Sequence, residues 1–328
     1  MTPKYRIIAD SVDITAKIAD RLKRLTVTDE AGQTSDAVEI ELDNRDGAIS
    51  IPRTGAELEV YMGFAETGLT RMGLFTAGDI TLSGPPDTLT IQAHAANMRI
   101  SLKAPHTKSW DKKTISDIVS TIAANHGLIP VVASALGEIK TPHIDQTEES
   151  DLHFLTRLAA DHDAVAKPIE SRLLFVPRGE AKSASGKKLP SIALKRSDLA
   201  RWDMTAASRG KYKSVKAYWH SLDDAERMPI TVGSGKPKFC LGGTSATPAE
   251  ARAKAQAKYN QLQRGTATLS LTTGGNPTIA AECALTVSGV YGLEGDWVIQ
   301  RVAHTLDDQG YSCQIECETP TGQSKGIV

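Results

Sequence analysis

Histidines and carboxylates that lie close in sequence are the residues most able to hold a metal or move a proton. His143 and Asp145 stand two apart, and Asp151, His153, His162 and Asp163 lie in and just after one helical stretch. A hydrolytic zinc site needs two histidines one turn apart with a glutamate between them, H-E-x-x-H. That string is absent, and the nine-residue step from His153 to His162 turns the two rings to different faces. They read as surface or capping histidines. Gly233-Ser234-Gly235-Lys236 has the look of a phosphate loop, but Pro237 follows the lysine and no helix start follows that. A phosphate loop needs Ser or Thr there and a helix N-terminus behind it, so this is a turn. No G-x-S-x-G elbow is present.

Cys240, Cys283, Cys313 and Cys317 all fall in the last third of the chain. Tyr311, Cys313, Ile315 and Cys317 alternate with polar residues, a strand pattern that places both thiols on the apolar face. Zinc would want C-x-x-C spacing and a second ligand pair; buried, reduced cysteines fit better. Arg209-Gly210-Lys211-Tyr212-Lys213 is the one basic run with an aromatic. Single-strand binding calls for several aromatics on one basic sheet face, so this run reads as a solvated strand start. The 39 acidic residues leave a paired-carboxylate glycosidase open in principle. A hydrolase domain would, however, take roughly 100–200 residues that the elements below already use.

Those elements change period twice. In the first hundred residues, Leu25 and Val27 alternate with threonines, and Val38, Ile40 and Leu42 alternate with Glu39, Glu41 and Asp43. Further strands are expected near 57–62 and 88–92, with turns at Asn44–Gly47, Ile51–Gly55 and Ser83–Asp87. Short, one-sided strands of this kind suggest a small barrel or sandwich. Thr114 and Asp117 then form a capping pair for a helix with an Ile115, Ile118, Val119, Ile122 stripe that Gly127 ends. A second helix runs from about Asp151 to Asp161, with Ser150 as N-cap and Leu152, Leu155, Leu158 and Ala159 inward. Strand patterns return from Tyr212, interrupted by a helix over 248–264 that Thr247, Pro248 and Glu250 start and Gly265 stops. Its Ala251, Ala255, Tyr259, Leu262 stripe is narrow enough to pack close to a sheet or a neighbouring subunit.

The expected architecture is α+β, mainly β. It comprises a first barrel-like β domain over 1–104, a mixed α+β section over 105–205, a second barrel-like β domain over 206–320 and a frayed tail over 321–328. Gly78-Asp79-Ile80, a turn and Leu89-Thr90-Ile91 echo Gly295-Asp296-Trp297, a turn and Tyr311–Ile315, as two related β domains would. At 328 residues the chain exceeds what one core usually organises. Its net charge of −1 gives no global pull toward nucleic acid or acidic lipid. With no signal peptide and no apolar run of about 18 residues, synthesis in the cytoplasm and no membrane binding are expected. No cofactor is implied.

The wording of one segment is distinctive. Gln146-Thr147-Glu148-Glu149-Ser150-Asp151, followed by Phe154, Leu155, Arg157, Leu158 and Ala159, resembles the central signature of the phage late control protein D family. These are tail hub proteins of contractile-tailed phages. Val12–Thr15, Leu25–Asp29, Gly73–Thr76, Ser83–Pro86, Trp110, His126–Leu128 and Leu173–Val176 fit the same family in order. The resemblance implies a homotrimeric structural hub in the virion baseplate, made in the host cytoplasm. Two tail-tube-type β domains per chain would let it join a six-fold tube to a three-fold spike. The implied partners are the tail tube, spike, tape measure and baseplate wedge proteins, with DNA only in transit through the lumen. No spike or lysozyme domain is recognisable, which implies a separate spike polypeptide. Glu39, Glu41 and Asp43 are candidates for a lumen face, and Ala251, Ala255 and Tyr259 for a subunit face. The rival readings are a cell-wall hydrolase acting during penetration and a nucleic-acid-binding regulator; near-zero charge and the lack of a helix-turn-helix pattern oppose the latter.

Overall fold

The computed structural model describes residues 1–32, 35–95, 100–169, 171–181, 187–206, 212–221 and 225–320. The alternating patterns of the first third become β1 (Pro3–Ala9), β2 (Val12–Asp13), the short α1 (Thr15–Ile18), β3 (Leu22–Glu30), β4 (Ala37–Asp43), β5 (Glu57–Phe64), β6 (Gly68–Ser83) and β7 (Thr88–Ala95). Period 2 does what it should. Leu25, Val27, Val38, Ile40 and Leu42 are buried, and Glu39, Glu41 and Asp43 point to the other side.

The middle of the chain forms α2 (Ile100–Lys103), β8 (Pro105–Thr114), α3 (Ile115–Asn125), β9 (Ile129–Val132), α4 (Ser134–Gly137), β10 (Lys140–Ser150), α5 (Asp151–Asp161), β11 (Ala164–Ile169) and β12 (Arg172–Pro177). A two-stranded ribbon, β8–β10, and a three-stranded sheet, β11–β12–β9, pack with α3 and α5 around a core of their own. The expected capping box is present: Thr114 Oγ1 accepts from the Asp117 amide at 3.1 Å, and Asp117 Oδ2 accepts from the Thr114 amide at 2.9 Å. Gly127, at φ +63°, turns the chain out of α3.

The last section contains β13 (Ser191–Lys195), β14 (Leu199–Ala206), β15 (Ser214–Ser221), β16 (Glu226–Gly233), β17 (Lys238–Cys240), α6 (Pro248–Arg264), β18 (Ala267–Gly274), β19 (Ala284–Ser288), β20 (Gly295–Asp307) and β21 (Gly310–Glu318). β15, β16 and β17 make a separate sheet, and α6 covers it through a third, small core. β13 and β14 both begin before residue 206, and they hydrogen-bond into the large sheet.

That large sheet corrects the expectation of two barrels. Eleven of its thirteen strands run in one open path, β14-β18-β21-β20-β3-β4-β7-β6-β5-β1-β2, while β19 branches from β20 and carries β13. Among the described residues neither half closes on itself. The reason lies in β3, whose Arg24–Glu30 edge pairs antiparallel with Arg301–Asp307 of β20. The edge that would close the first half is used to join the second, and the buried side chains of both halves form one cluster.

Within this sheet a strand order occurs twice. β3-β4-β7-β6-β5 are all antiparallel neighbours, and so are β14-β18-β21-β20-β19. In each half the strands follow the chain in the order first, second, fifth, fourth, third across the sheet. β15–β17 and α6 are inserted between the first and second strands of the second half. The Gly-Asp echo is not the equivalent point, however. Gly78-Asp79 forms the bulge inside β6 between Ala77 and Ile80, whereas Gly295-Asp296 opens β20, whose bulge falls at Gln300 between Ile299 and Arg301. A bulge and a strand start both favour Gly next to a small polar residue, so similar words arise at different places.

Candidate assembly interface

The distinctive segment around α5 is a buried polar clamp. Gln146 is fully buried; its Oε1 accepts from Trp110 Nε1 at 3.3 Å, and its Nε2 donates to the Glu149 carbonyl and to Asp151 Oδ1, both at 2.9 Å. Asp151 also meets His126 Nε2 at 2.7 Å and His106 Nε2 at 3.3 Å. Glu149 takes a forked contact from Arg157 at 2.8 and 3.2 Å, which holds its carboxyl below the usual range. Phe154 stacks on Trp110, with centroids 5.9 Å apart, and Leu155, Leu158 and Ala159 enter the core. Ser150 caps the helix, its Oγ accepting from the His153 amide at 3.3 Å. Every polar atom of Gln146 and Asp151 named here faces a partner inside the chain. The cluster fixes the β10–α5 junction.

The sequence reading missed the His126–Asp151 pair, since residues 25 apart share no periodic signal. His143 sits between Asp111 at 2.6 Å and Asp145 at 3.1 Å, and these carboxylates raise its pKa. Ser109 donates to Asp145 at 2.7 Å rather than to the ring, so no hydroxyl is poised on the imidazole. Among the described residues no group of three or more His, Cys, Asp or Glu side chains has metal-holding geometry. Cys283, Cys313 and Cys317 are buried as expected, and Cys240 is exposed. The Gly233–Lys236 turn links β16 to β17, with no helix behind it. Of the basic run, 209–211 lie outside the described residues, and the Tyr212 ring packs edge-on to Phe239.

Ala251 and Ala255 pack inside the chain. Both are fully buried against β15, beside Val215 and Ala217, because α6 lies on its own sheet closely enough to need methyl groups there. Tyr259 is half-buried at the same core. A cleft of about 770 Å³ opens where the three cores meet. Several of its charges are paired: Arg264 forks onto Asp163, Arg301 meets Glu316 at 3.0 Å, and Lys254 meets Asp161 at 3.4 Å. The Arg264 and Lys254 pairs tie α6 to the end of α5 and to Asp163 beyond it.

The outward face of the large sheet is continuous and hydrophilic. One row crosses five strands through Ser312, Thr305, Thr26, Glu39 and Gln92. Glu41 lies between Arg24 and Thr90, and Asp43 lies beside Thr88. Gln92 donates to Glu39 at 3.1 Å. The row passes through the β3–β20 seam without a break, so both halves present one surface.

The profile of the phage tail baseplate hub (GPD) family matches residues 76–310. The chain belongs to that family. The probable baseplate hub protein of Escherichia phage P2 is 35% identical, over 97% of this chain and 93% of that protein. Among solved structures, the 43 kDa tail protein of prophage MuSo2 from Shewanella oneidensis superposes with a TM-score of 0.76 at 14% identity, covering 97% of this chain and 99% of that one. The E. coli c3393 protein, a type VI secretion component, gives 0.58 at 12% identity, covering 94% and 75%. These two likenesses show a shared fold. Baseplate hubs are virion tail components.

Proposed function

We propose that the hub works as a homotrimer that adapts a six-fold tail tube to a three-fold spike. The observation that carries this reading is the strand order repeated in one chain. Three copies with two similar units each offer six similar surfaces to a tube ring, while the whole keeps three-fold symmetry for a spike. In this reading the tube protein and the end of the tape measure meet one rim, the spike protein meets the other, and wedge proteins surround the ring. The hydrophilic sheet face, with Glu39, Glu41 and Asp43, lines a lumen through which DNA passes without being held. The α5 clamp keeps the middle section rigid so that both units sit in fixed relation.

Native mass measurement of the full chain, alone and with its spike, tests this. A trimer is expected. A chain that stays monomeric in both conditions overturns the homotrimer. The role is non-enzymatic in this reading, and a cleared zone on a peptidoglycan gel would reverse that part.

A further inference from the structure

The second half of the large sheet carries a unit that the first half lacks. In the first half β3 is followed directly by β4, whereas β15–β17 and α6 are inserted between the corresponding strands, β14 and β18. The repeated strands do not need this insert, and each chain presents it once. α6 covers one face of its small sheet, the face to which Val215, Ala217 and Phe239 point. Strand alternation turns Lys216, Tyr218 and His220 of β15 to the other face. Register places Arg227 of β16 beside His220, and Lys238 of β17 beside Ser214, on that same face. His220, Arg227 and Lys238 are exposed there.

The charge on this face has one sign. Glu226 is the one acid in the three strands, and alternation puts it on the α6 side. Lys213 and Lys236, both exposed, extend the positive charge around the adjoining turns. Among the described residues none of Lys213, Lys216, Arg227, Lys236 and Lys238 lies within ion-pair distance of a carboxylate. Exposed arginines elsewhere are answered: Arg6 by Asp13 at 2.8 Å and Arg53 by Asp10 at 3.0 Å. Arg227 instead donates to the Gly243 carbonyl at 2.7 Å and lies 3.9 Å from the centre of the Tyr218 ring, with Lys216 Nζ at 4.8 Å. These contacts hold the cations in place before any partner arrives, which lowers the ordering cost of binding.

We infer that this face is a docking surface for an acidic, extended protein segment with Asp or Glu at every second position. The inference goes beyond the trimer reading and does not rest on it. Alternate residues of a strand lie about 7 Å apart and neighbouring strands about 4.8 Å apart, so the cations form a lattice that such a segment matches. β16 is hydrogen-bonded only to β15 among the described strands, but Pro229 removes an amide from it. Recognition therefore rests on the side chains of the face rather than on strand addition. Nucleic acid fits less well: Tyr218 is the one aromatic ring of a Tyr, Trp or Phe on this face, and the two cations over it leave no bare surface for a base to stack on.

The test uses the full chain and a fluorescent peptide of alternating Glu and Thr, as long as β15. Anisotropy should show binding at low ionic strength that weakens steeply as salt rises through about 0.15 M. A peptide with Lys in place of Glu should not bind. Lys216→Glu, Arg227→Glu and Lys238→Glu together should weaken binding about tenfold or more. Lys4→Glu, Lys17→Glu and Lys113→Glu together make the same change in net charge elsewhere on the surface and should change it less than about twofold. All six side chains lie outside the cores, so both variants should unfold at the parent's midpoint, and Lys216→Arg with Lys238→Arg should bind as the parent does. Equal losses in the two triple variants, or no binding of the Glu peptide at low salt, would overturn the docking face. An oligothymidine that displaces the peptide at equal concentration would make it a nucleic-acid surface instead. Loss of the parent's own oligomer in the first triple variant would make the occupant a second copy of this chain, which also overturns the reading.

Discussion

His304 shows how one side chain can carry a pH dependence without any catalytic role. It is fully buried, with Nε2 3.0 Å from the Ile279 carbonyl, which makes Nε2 the donor. Nδ1 then accepts from the Tyr311 hydroxyl at 2.9 Å, and Cys313 Sγ lies 3.3 Å from it. Burial holds the imidazole neutral, pushing its pKa down to about 4, and pushes Cys313 up to about 11. An unfolded histidine titrates near 6.5, so between pH 6.5 and 4 the unfolded chain binds more protons than the folded one. Stability from this group is complete above pH 6.5 and is lost as pH falls toward 4. The loss is roughly 3 kcal/mol by linkage. Urea unfolding of the parent and of His304→Gln, compared at pH 7 and pH 4.5, should show the steeper acid loss in the parent. Equal slopes would show that the buried ring does not titrate in this range. No sequence pattern announced this group. In the strand alternation His304 simply occupies an inward position, and its partners come from the segment between β18 and β19 and from the neighbouring β21.

At the scale of elements, the periodic stretches were legible and their attachments were not. α3, α5 and α6 begin and end where caps and glycines place them, because capping is decided within a few residues. What α6 packs against was open between a sheet and a neighbour, and β15 decided it. The end of α6 also reaches two other units: Arg264, 1% exposed, forks onto Asp163 after α5 and lies 3.4 Å from Glu318 of β21. Lys167 of β11 similarly donates to the Glu30 carbonyl and to Asp36, both at 2.6 Å. Arg264→Met keeps the stem and strands two carboxylates. It should cost about 3–5 kcal/mol in urea unfolding, as breaking a buried pair usually does. A loss below about 1 kcal/mol would mean that the three cores are held together by other contacts.

For the whole molecule, the decisive feature is a sheet that runs through both halves and stays open. Its hydrophilic face makes a direct prediction about passage of DNA. Changing Glu39, Glu41 and Asp43 together to Lys should leave tails assembled, since all three lie off the core, but should make the purified hub retain DNA in a salt-dependent way. Delivery of DNA by such particles should fall, and infectivity with it. Unchanged DNA retention and infectivity would place this face on the outside. The parent, at net charge −1, should not retain DNA at physiological salt.

The sequence by itself determined the kind of the strongly periodic elements, the inward faces of strands such as β3, β4 and β21, the caps of α3, α5 and α6 and, through the wording around Gln146–Ala159, the family. These are local properties: a period, a cap or a short string is complete within a few turns of chain. Only the tertiary structure decided which edge pairs with which. Every strand edge offers the same amides and carbonyls, so alternation cannot tell β3 whether to close on its own half or to meet β20. Thr26 and Thr305 face each other across 279 residues, and it is that contact which turns two expected barrels into one continuous open sheet.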